Sequence, residues 1–292
     1  MNVLKFGGTS VGSVKSIQTL IDIVKKERND KPIVVLSAMG GITNLLAAMA
    51  DRAVAGKSFT DQLDELQTRH FDIIKALLEV QRQNPVFTKL KLWFNELEEL
   101  LQGVSSVQEL TPKTKDLILS YGERCSTWMV SKIAEQYFPE ALFVDATELI
   151  KTDSNFGHAH VETTITDLLI RTFYEQNQNK LWFVTGFISS NEEGKITTLG
   201  RGGSDYTAAI LASALNASEI QIWTDVNGIM TADPRIVKKA FSLPELSYTE
   251  AMELSYFGAK VIYPPTMVPA FLKKIPIIVK NTFNPEFIGT AI

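Results

Sequence analysis

One cysteine, Cys125, occurs in 292 residues; this excludes an internal disulfide and fits a reducing compartment. Long hydrophobic runs are missing too. Stretches such as 33–36 and 275–279 fall far short of the roughly 20 apolar residues that cross a bilayer. Nothing at the start reads as a signal peptide, because Met1 leads directly into Val3-Leu4-Lys5-Phe6 and glycines follow. The expectation is a cytoplasmic protein without membrane contact. Neither charge sign is in large excess: the formal net charge is −4 and the pI about 5.6. A general attraction to nucleic acid is therefore not expected, and any anion site must be local. Repeats, low-complexity tracts and linkers rich in Gly, Pro or Ser are absent, which argues for one compact unit with two lobes.

Histidine is scarce. His70, His158 and His160 lie without a nucleophile or a third metal ligand at useful spacing, so they read as solvated loop residues and no side-chain metal site is expected. Cys125, among Arg124, Ser126 and Trp128, reads as a packed thiol rather than a nucleophile. The common phosphate fingerprints fail as well. Gly56-Lys57-Ser58 resembles the end of a Walker A loop, but Asp51 stands where its first glycine belongs. Gly200-Arg-Gly202 lacks the last glycine of a dinucleotide turn, because Asp205 stands there.

Apolar residues make up 45% of the chain and charged ones 21%, enough for a large core in an ordinary globular composition. A strand over 2–6, a glycine turn and a helix over 14–28 are followed by a strand over 33–36, the small turn 37–44 and a helix over 45–55. That succession is the α/β rhythm. Residues 59–103 interrupt it with leucines and aromatics at helical spacing, read as a helical hairpin split at Asn84-Pro85. Further helices are expected over 112–137, 161–175, 206–215 and 248–257, and strands over 142–144, 181–184, 220–223 and 275–280. Tyr263-Pro264-Pro265 reads as a stop.

The polar and glycine clusters fall at strand ends: 5–10, 37–44, 185–186, 200–205 and 224–225. In open α/β sheets ligands bind just there, so these clusters point to one shared small-molecule site. The most informative is Gly200-Arg-Gly-Gly-Ser-Asp205, a bare backbone leading into a helix for which Ser204 is the expected N-cap. Such a helix start attracts an anion, yet it carries an acid. Asp205 is either a charge on the first turn or a participant in chemistry. Lys5 beside Gly7-Gly8 is either a surface lysine ending an edge strand or a cation for phosphate. The absence of an obvious base and nucleophile suits a reaction whose attacking group arrives ionised, as a carboxylate of pKa about 4 does.

Six ordered motifs carry a resemblance over almost the whole chain: Lys5-Phe-Gly-Gly-Thr-Ser-Val11, Ser37-Ala-x-x-Gly-Ile-Thr-Asn44, Gly122-Glu-Arg124, Gly200-Arg-Gly-Gly-Ser-Asp205, Trp223-Thr-Asp-Val226 through Thr231-Ala-Asp-Pro-Arg235, and Ser255-Tyr-Phe-Gly-Ala-Lys260. The set resembles the aspartokinases. The resemblance implies the amino acid kinase (carbamate kinase-like) fold: α/β, a three-layer αβα sandwich around an eight-stranded, mainly parallel sheet. It further implies transfer of the γ-phosphoryl of ATP to the β-carboxylate of L-aspartate. An N-terminal lobe, about 1–200 with its insert at 59–103, would bind aspartate; a C-terminal lobe, about 201–292, would bind ATP.

Residue by residue, the resemblance gives Lys5 the charge on the transferring phosphoryl group, helped by the N–H groups of Gly7 and Gly8. Arg201 would clamp the α-carboxylate, Glu123 would accept from the α-ammonium, and Thr43 and Ser204 would fix the substrate. Asp205 would orient Lys5 and the substrate. Ser10, Gly203, Thr224, Asp225, Met230, Arg235, Lys260 and Val261 would contact the nucleotide, with Mg²⁺ held mainly through phosphates and water. Met230 and Tyr263-Pro264 depart from the residues common in such sequences, tyrosine and His-Pro, which suggests altered nucleotide affinity. Relatives continue into ACT domains and some into a homoserine dehydrogenase; Thr290-Ala-Ile292 resembles that hand-over point, and a homo-oligomer is expected of a full-length protein. A kinase for glutamate or N-acetylglutamate, or a silent nucleotide-binding module, are the alternatives; the intact Lys5, Asp205 and Lys260 argue against silence.

Overall fold

A computed structural model describes residues 1–232, 236–256, 263 and 267–292. In chain order the elements are β1 (Asn2–Phe6), α1 (Val14–Glu27), β2 (Ile33–Leu36), α2 (Ile42–Val54), α3 (Thr60–Leu77), α4 (Val80–Val107), α5 (Pro112–Ala134), β3 (Ala141–Val144), β4 (Lys151–Thr152) and α6 (Thr163–Gln176). There follow β5 (Leu181–Thr185), β6 (Ile188–Asn191), β7 (Ile196–Thr198), α7 (Gly203–Leu215), β8 (Glu219–Thr224), α8 (Tyr248–Tyr256), α9 (Val268–Leu272), β9 (Ile277–Asn281) and β10 (Thr290–Ala291).

Seven strands form the main sheet in the order β10-β9-β8-β1-β2-β5-β3, and β4, β6 and β7 form a smaller one beside it. The expected count of eight in the main sheet is thus seven among the described residues. Every pairing in the main sheet is parallel except β9 with β10. The interior strands are apolar because both of their faces are covered. Leu4, Phe6, Val34, Leu36 and Phe183 join one core with α1–α5. Val3, Ile33, Val35, Trp182 and Val184 join a second core with α6, α7 and α9. Helices therefore lie on both faces, the three-layer arrangement that the resemblance implies.

This alternation decides where Lys5 goes. It shares the pleat of Val3, not of Leu4, so it leaves the sheet on the α7 side. In register it stands beside Val35 of β2 and Ile222 of β8, one residue from the end of the central strand.

Three local expectations are corrected. The hairpin breaks at Leu78, whose backbone is extended, and not at Asn84-Pro85; Pro85 sits in the second turn of α4. The helix runs on through the ring to Val107, forfeiting one backbone hydrogen bond in its second turn. The N-cap of α7 is Gly202, in the left-handed region at φ 72°, and not Ser204, which is the second helical residue. Finally, His70 is not a solvated loop residue. It is wholly buried in α3 and edge-on to Phe94, and burial lowers its pKa to about 4, so the ring is neutral at pH 7. Cys125 is buried as expected, and burial pushes its thiol up.

Candidate active site

The carboxyl ends of β1, β2 and β5 and the N-terminal ends of α2 and α7 surround a cleft of about 370 Å³. Two helix starts aimed at one space make it receptive to anions. In the first turn of α2, Thr43 and Asn44 have N–H groups without an intrahelical acceptor, and in α7 the same holds for Ser204 and Asp205. All four residues line the cleft.

Lys5 and Asp205 meet in it although 200 positions separate them in the chain. Lys5 Nζ lies 2.7 Å from Asp205 Oδ1, and each side chain is 12% exposed. The contact is an ion pair. An ammonium carries three donors, so at least two remain for an incoming anion. Gly7 lies close by: a Cβ there would stand 3.7 Å from Lys5 Nζ. Its N–H, however, is donated to the Trp223 carbonyl at 3.0 Å.

Glu123 enters from α5. Gly122 permits this, because a Cβ there would stand 2.9 Å from that of Ala38 and 3.3 Å from Leu46, so a larger residue would hold α5 away from α2. At this close approach Glu123 Oε1 accepts from the Ala38 N–H at 3.1 Å, and Ser126 donates to the Ser37 carbonyl at 2.7 Å. Glu123 is 3% exposed and its Oε2 has no partner among the described residues. Burial lifts its pKa to about 8, against the opposing pull of the Ala38 N–H and the Lys5 charge.

The Gly200–Asp205 turn is held from behind. Asp116 of α5, 2% exposed, accepts from Gly157 N, Thr198 N and Thr198 Oγ1 at 2.8–2.9 Å. One carboxylate thereby ties the helix that carries Glu123 to the strand that runs into Gly200. Asp116→Ala would strip three donors of their acceptor and is expected to cost about 2–4 kcal/mol of folding stability. Urea denaturation of both proteins measures this, and a loss below about 1 kcal/mol would show that the three bonds are dispensable.

Of the expected site residues, Lys5, Gly8, Thr43, Glu123, Gly203, Ser204 and Asp205 line the cleft. Arg201 stands exposed on the turn between Gly200 and Gly202, both of which line the cleft, its guanidinium 5.4 Å from the Tyr263 ring centroid. Thr224 and the exposed Asp225 follow at the end of β8, joined by a hydrogen bond of 3.3 Å, and Met230 bridges to Ser242; none of the three is among the residues lining the cleft. The Ser10 hydroxyl is turned inward: it is fully buried, 2.7 Å from Thr282 Oγ1, and donates to the Trp223 carbonyl. Arg235, Lys260 and Val261 lie outside the described residues, as do Pro264 and Pro265.

The sequence pattern of the amino acid kinase family is matched by residues 1–281. This chain belongs to that family. Among curated relatives, the lysine-sensitive aspartokinase 3 of Escherichia coli K12 is 38% identical over 296 residues, covering 99% of this chain and 63% of the relative. Aspartokinase 1, chloroplastic, of Arabidopsis thaliana is likewise 38% identical, over 99% of this chain and 51% of the relative. Among solved structures, E. coli aspartokinase III in complex with aspartate and ADP superposes with a TM-score of 0.92 at 36% identity, covering all of this chain and 64% of that one. The chain thus spans roughly one half to two thirds of the length of these three proteins.

This amino acid kinase cleft also contains a residue that sequence reasoning missed. Phe187 lines it with φ 67°, a left-handed backbone that a bulky side chain rarely adopts. Its N–H donates to Thr207 Oγ1 at 3.1 Å, its carbonyl accepts from Leu199 N at 2.9 Å, and its ring packs against Gly203. The available signal was Gly186 before an aromatic at a strand end, which periodicity treats as plain core. Among the described residues, no three His, Cys, Asp or Glu side chains are grouped as a metal site, and no helix is long and apolar enough to cross a membrane.

Proposed function

We propose that this amino acid kinase is an aspartate kinase, transferring the γ-phosphoryl group of MgATP to the β-carboxylate of L-aspartate. The observation that carries the reading is a single cavity lined both by the Lys5–Asp205 pair and by Glu123, whose buried Oε2 has no partner among the described residues. The similarity to aspartokinases along 99% of the chain supports it.

In this reading the substrate carboxylate needs no general base, since it is ionised at neutral pH. A β-carboxylate oxygen forms the new bond to the γ-phosphorus. The bond from that phosphorus to the β–γ bridging oxygen breaks, and ADP leaves with the electron pair. Lys5 neutralises charge gathering on the phosphoryl oxygens, and the bare first turns of α2 and α7 add N–H donors. Asp205 keeps Lys5 aimed. Glu123 accepts from the α-ammonium, Arg201 pairs with the α-carboxylate through its planar guanidinium, and Thr43 and Ser204 orient the acceptor. Gly8, Gly203, Thr224, Asp225 and Met230 would face the nucleotide, with Arg235, Lys260 and Val261 completing that side. Mg²⁺ arrives with the substrate as MgATP, coordinated mainly by phosphates and water. The lobe of residues 1–200 would serve the amino acid and that of 201–292 the nucleotide.

A free acceptor at Glu123 favours a free α-amino group over an acylated one. ATP consumption with hydroxylamine trapping tests the whole reading. Hydroxamate is expected with L-aspartate, with little from L-glutamate and none without an amino acid. Equal product from glutamate, or ADP release indifferent to aspartate, would overturn it.

A further inference from the structure

The α3–α4 hairpin carries a side chain that reaches the edge of the cleft. Arg69 of α3 donates through Nη2 to the Gly40 carbonyl at 2.6 Å, while its Nη1 lies 3.7 Å from Glu65 one turn earlier. Gly40 in turn donates its N–H to the Gly8 carbonyl at 2.8 Å. The two turns are almost in contact, because a Cβ on Gly8 would stand 2.9 Å from the Ala38 carbonyl and 3.1 Å from Gly40 N. A continuous path of two hydrogen bonds therefore runs from the hairpin, through one cleft-lining loop, to the turn that follows the Lys5 strand.

The placement of the charge is informative. A cation beside the N-terminal end of α2 opposes that helix dipole, so the local field does not explain it. The charge-assisted bond to Gly40 does. Arg69 is not among the residues lining the cleft; its hydrogen bond to that lining is the one to Gly40.

We propose that Arg69 is a positioning residue: it sets the spacing between the Gly8 turn and the Gly40 loop, and with it the alignment of the phosphoryl group against its acceptor. The kinetic half of this statement rests on the phosphotransfer reading above; the structural half does not. Loosening the two turns disturbs alignment in the transition state more than ground-state binding, so the effect belongs on kcat.

The test compares Arg69→Ala and Arg69→Lys with the parent chain, by steady-state kinetics with MgATP and L-aspartate and by hydrogen exchange. Arg69→Ala is expected to lower kcat by about tenfold with KM for ATP within about twofold. Arg69→Lys, which restores a charged donor, is expected to recover part of the loss. Amide exchange over 8–12 and 37–44 is expected to quicken in the alanine variant while α3 and α4 keep parental rates. Parental kcat in Arg69→Ala, parental exchange over 37–44, or faster exchange spread evenly through α3 and α4 would each overturn the proposal. Should the parent show no aspartate-dependent turnover, the functional reading fails, and the exchange pattern alone decides whether Arg69 sets the loop.

Discussion

Lys5→Ala is expected to lower kcat by about 10²–10³-fold while nucleotide affinity changes only a few-fold. Lys5 is fixed by the sheet itself: it projects from the central strand, flanked on both sides by parallel neighbours, with Asp205 2.7 Å from its ammonium. Its charge therefore meets the phosphoryl group without reorganisation, which is the condition under which an electrostatic contact favours the transition state over bound substrate. Alanine removes the charge and leaves Asp205 facing the phosphates unneutralised, so the loss falls on turnover. Steady-state kinetics together with calorimetric ATP binding separates the two quantities. Unchanged turnover would remove Lys5 from the mechanism.

The second large effect concerns Glu123 and pH. With its pKa near 8 in the ligand-free protein, the group is mostly protonated at pH 7, yet an α-ammonium requires the carboxylate. Substrate binding must therefore release a proton. The KM for aspartate is expected to fall about tenfold per pH unit from pH 6 towards 8 and to level off above it. Glu123→Gln should abolish that slope and leave KM raised by roughly tenfold or more, the worth of a hydrogen bond to a charged group. A flat KM between pH 6 and 8.5 in the parent protein would remove the assignment.

Stability supplies an independent readout of the same group. The folded-state pKa is raised, so the folded protein retains a proton that the unfolded chain releases. Its contribution is fully present below the unfolded value of 4.5 and is lost as pH rises through 8. The Gln variant has no such loss. Relative to the parent it is expected to gain stability between pH 4.5 and 8.5, with a ceiling of roughly 4–5 kcal/mol. Urea denaturation at the two pH values measures the difference, and it does so whether or not the isolated chain turns over.

These predictions draw unequally on sequence and structure. The strand–glycine–helix succession and the gathering of polar turns at strand ends were legible in the residue order, because each is written in local periodicity and turn chemistry; the helices on both faces came from the resemblance of the motifs. So were Lys5, Glu123 and the Gly200–Asp205 turn as candidates, by their residue types and by the resemblance of the motifs. Pro85 misled: the helix absorbs the loss of one bond there, and the packing of Val86, Leu90, Trp93 and Phe94 that holds α4 together is a tertiary property. His70 misled because helical spacing shows an apolar stripe without showing what will cover the next residue along.

Residue order alone determined the parallel α/β architecture and the chemical types brought to the strand ends, since backbone geometry and hydrophobic alternation act over a few neighbours at a time. Tertiary structure alone decided that Glu123 is dry enough to hold its proton, that Asp116 braces the glycine turn, that Phe187 takes a left-handed backbone and that Arg69 grips Gly40. Each of these follows from contacts between segments far apart in the chain, where burial and close approach are properties of the packed whole and leave no mark on the local sequence.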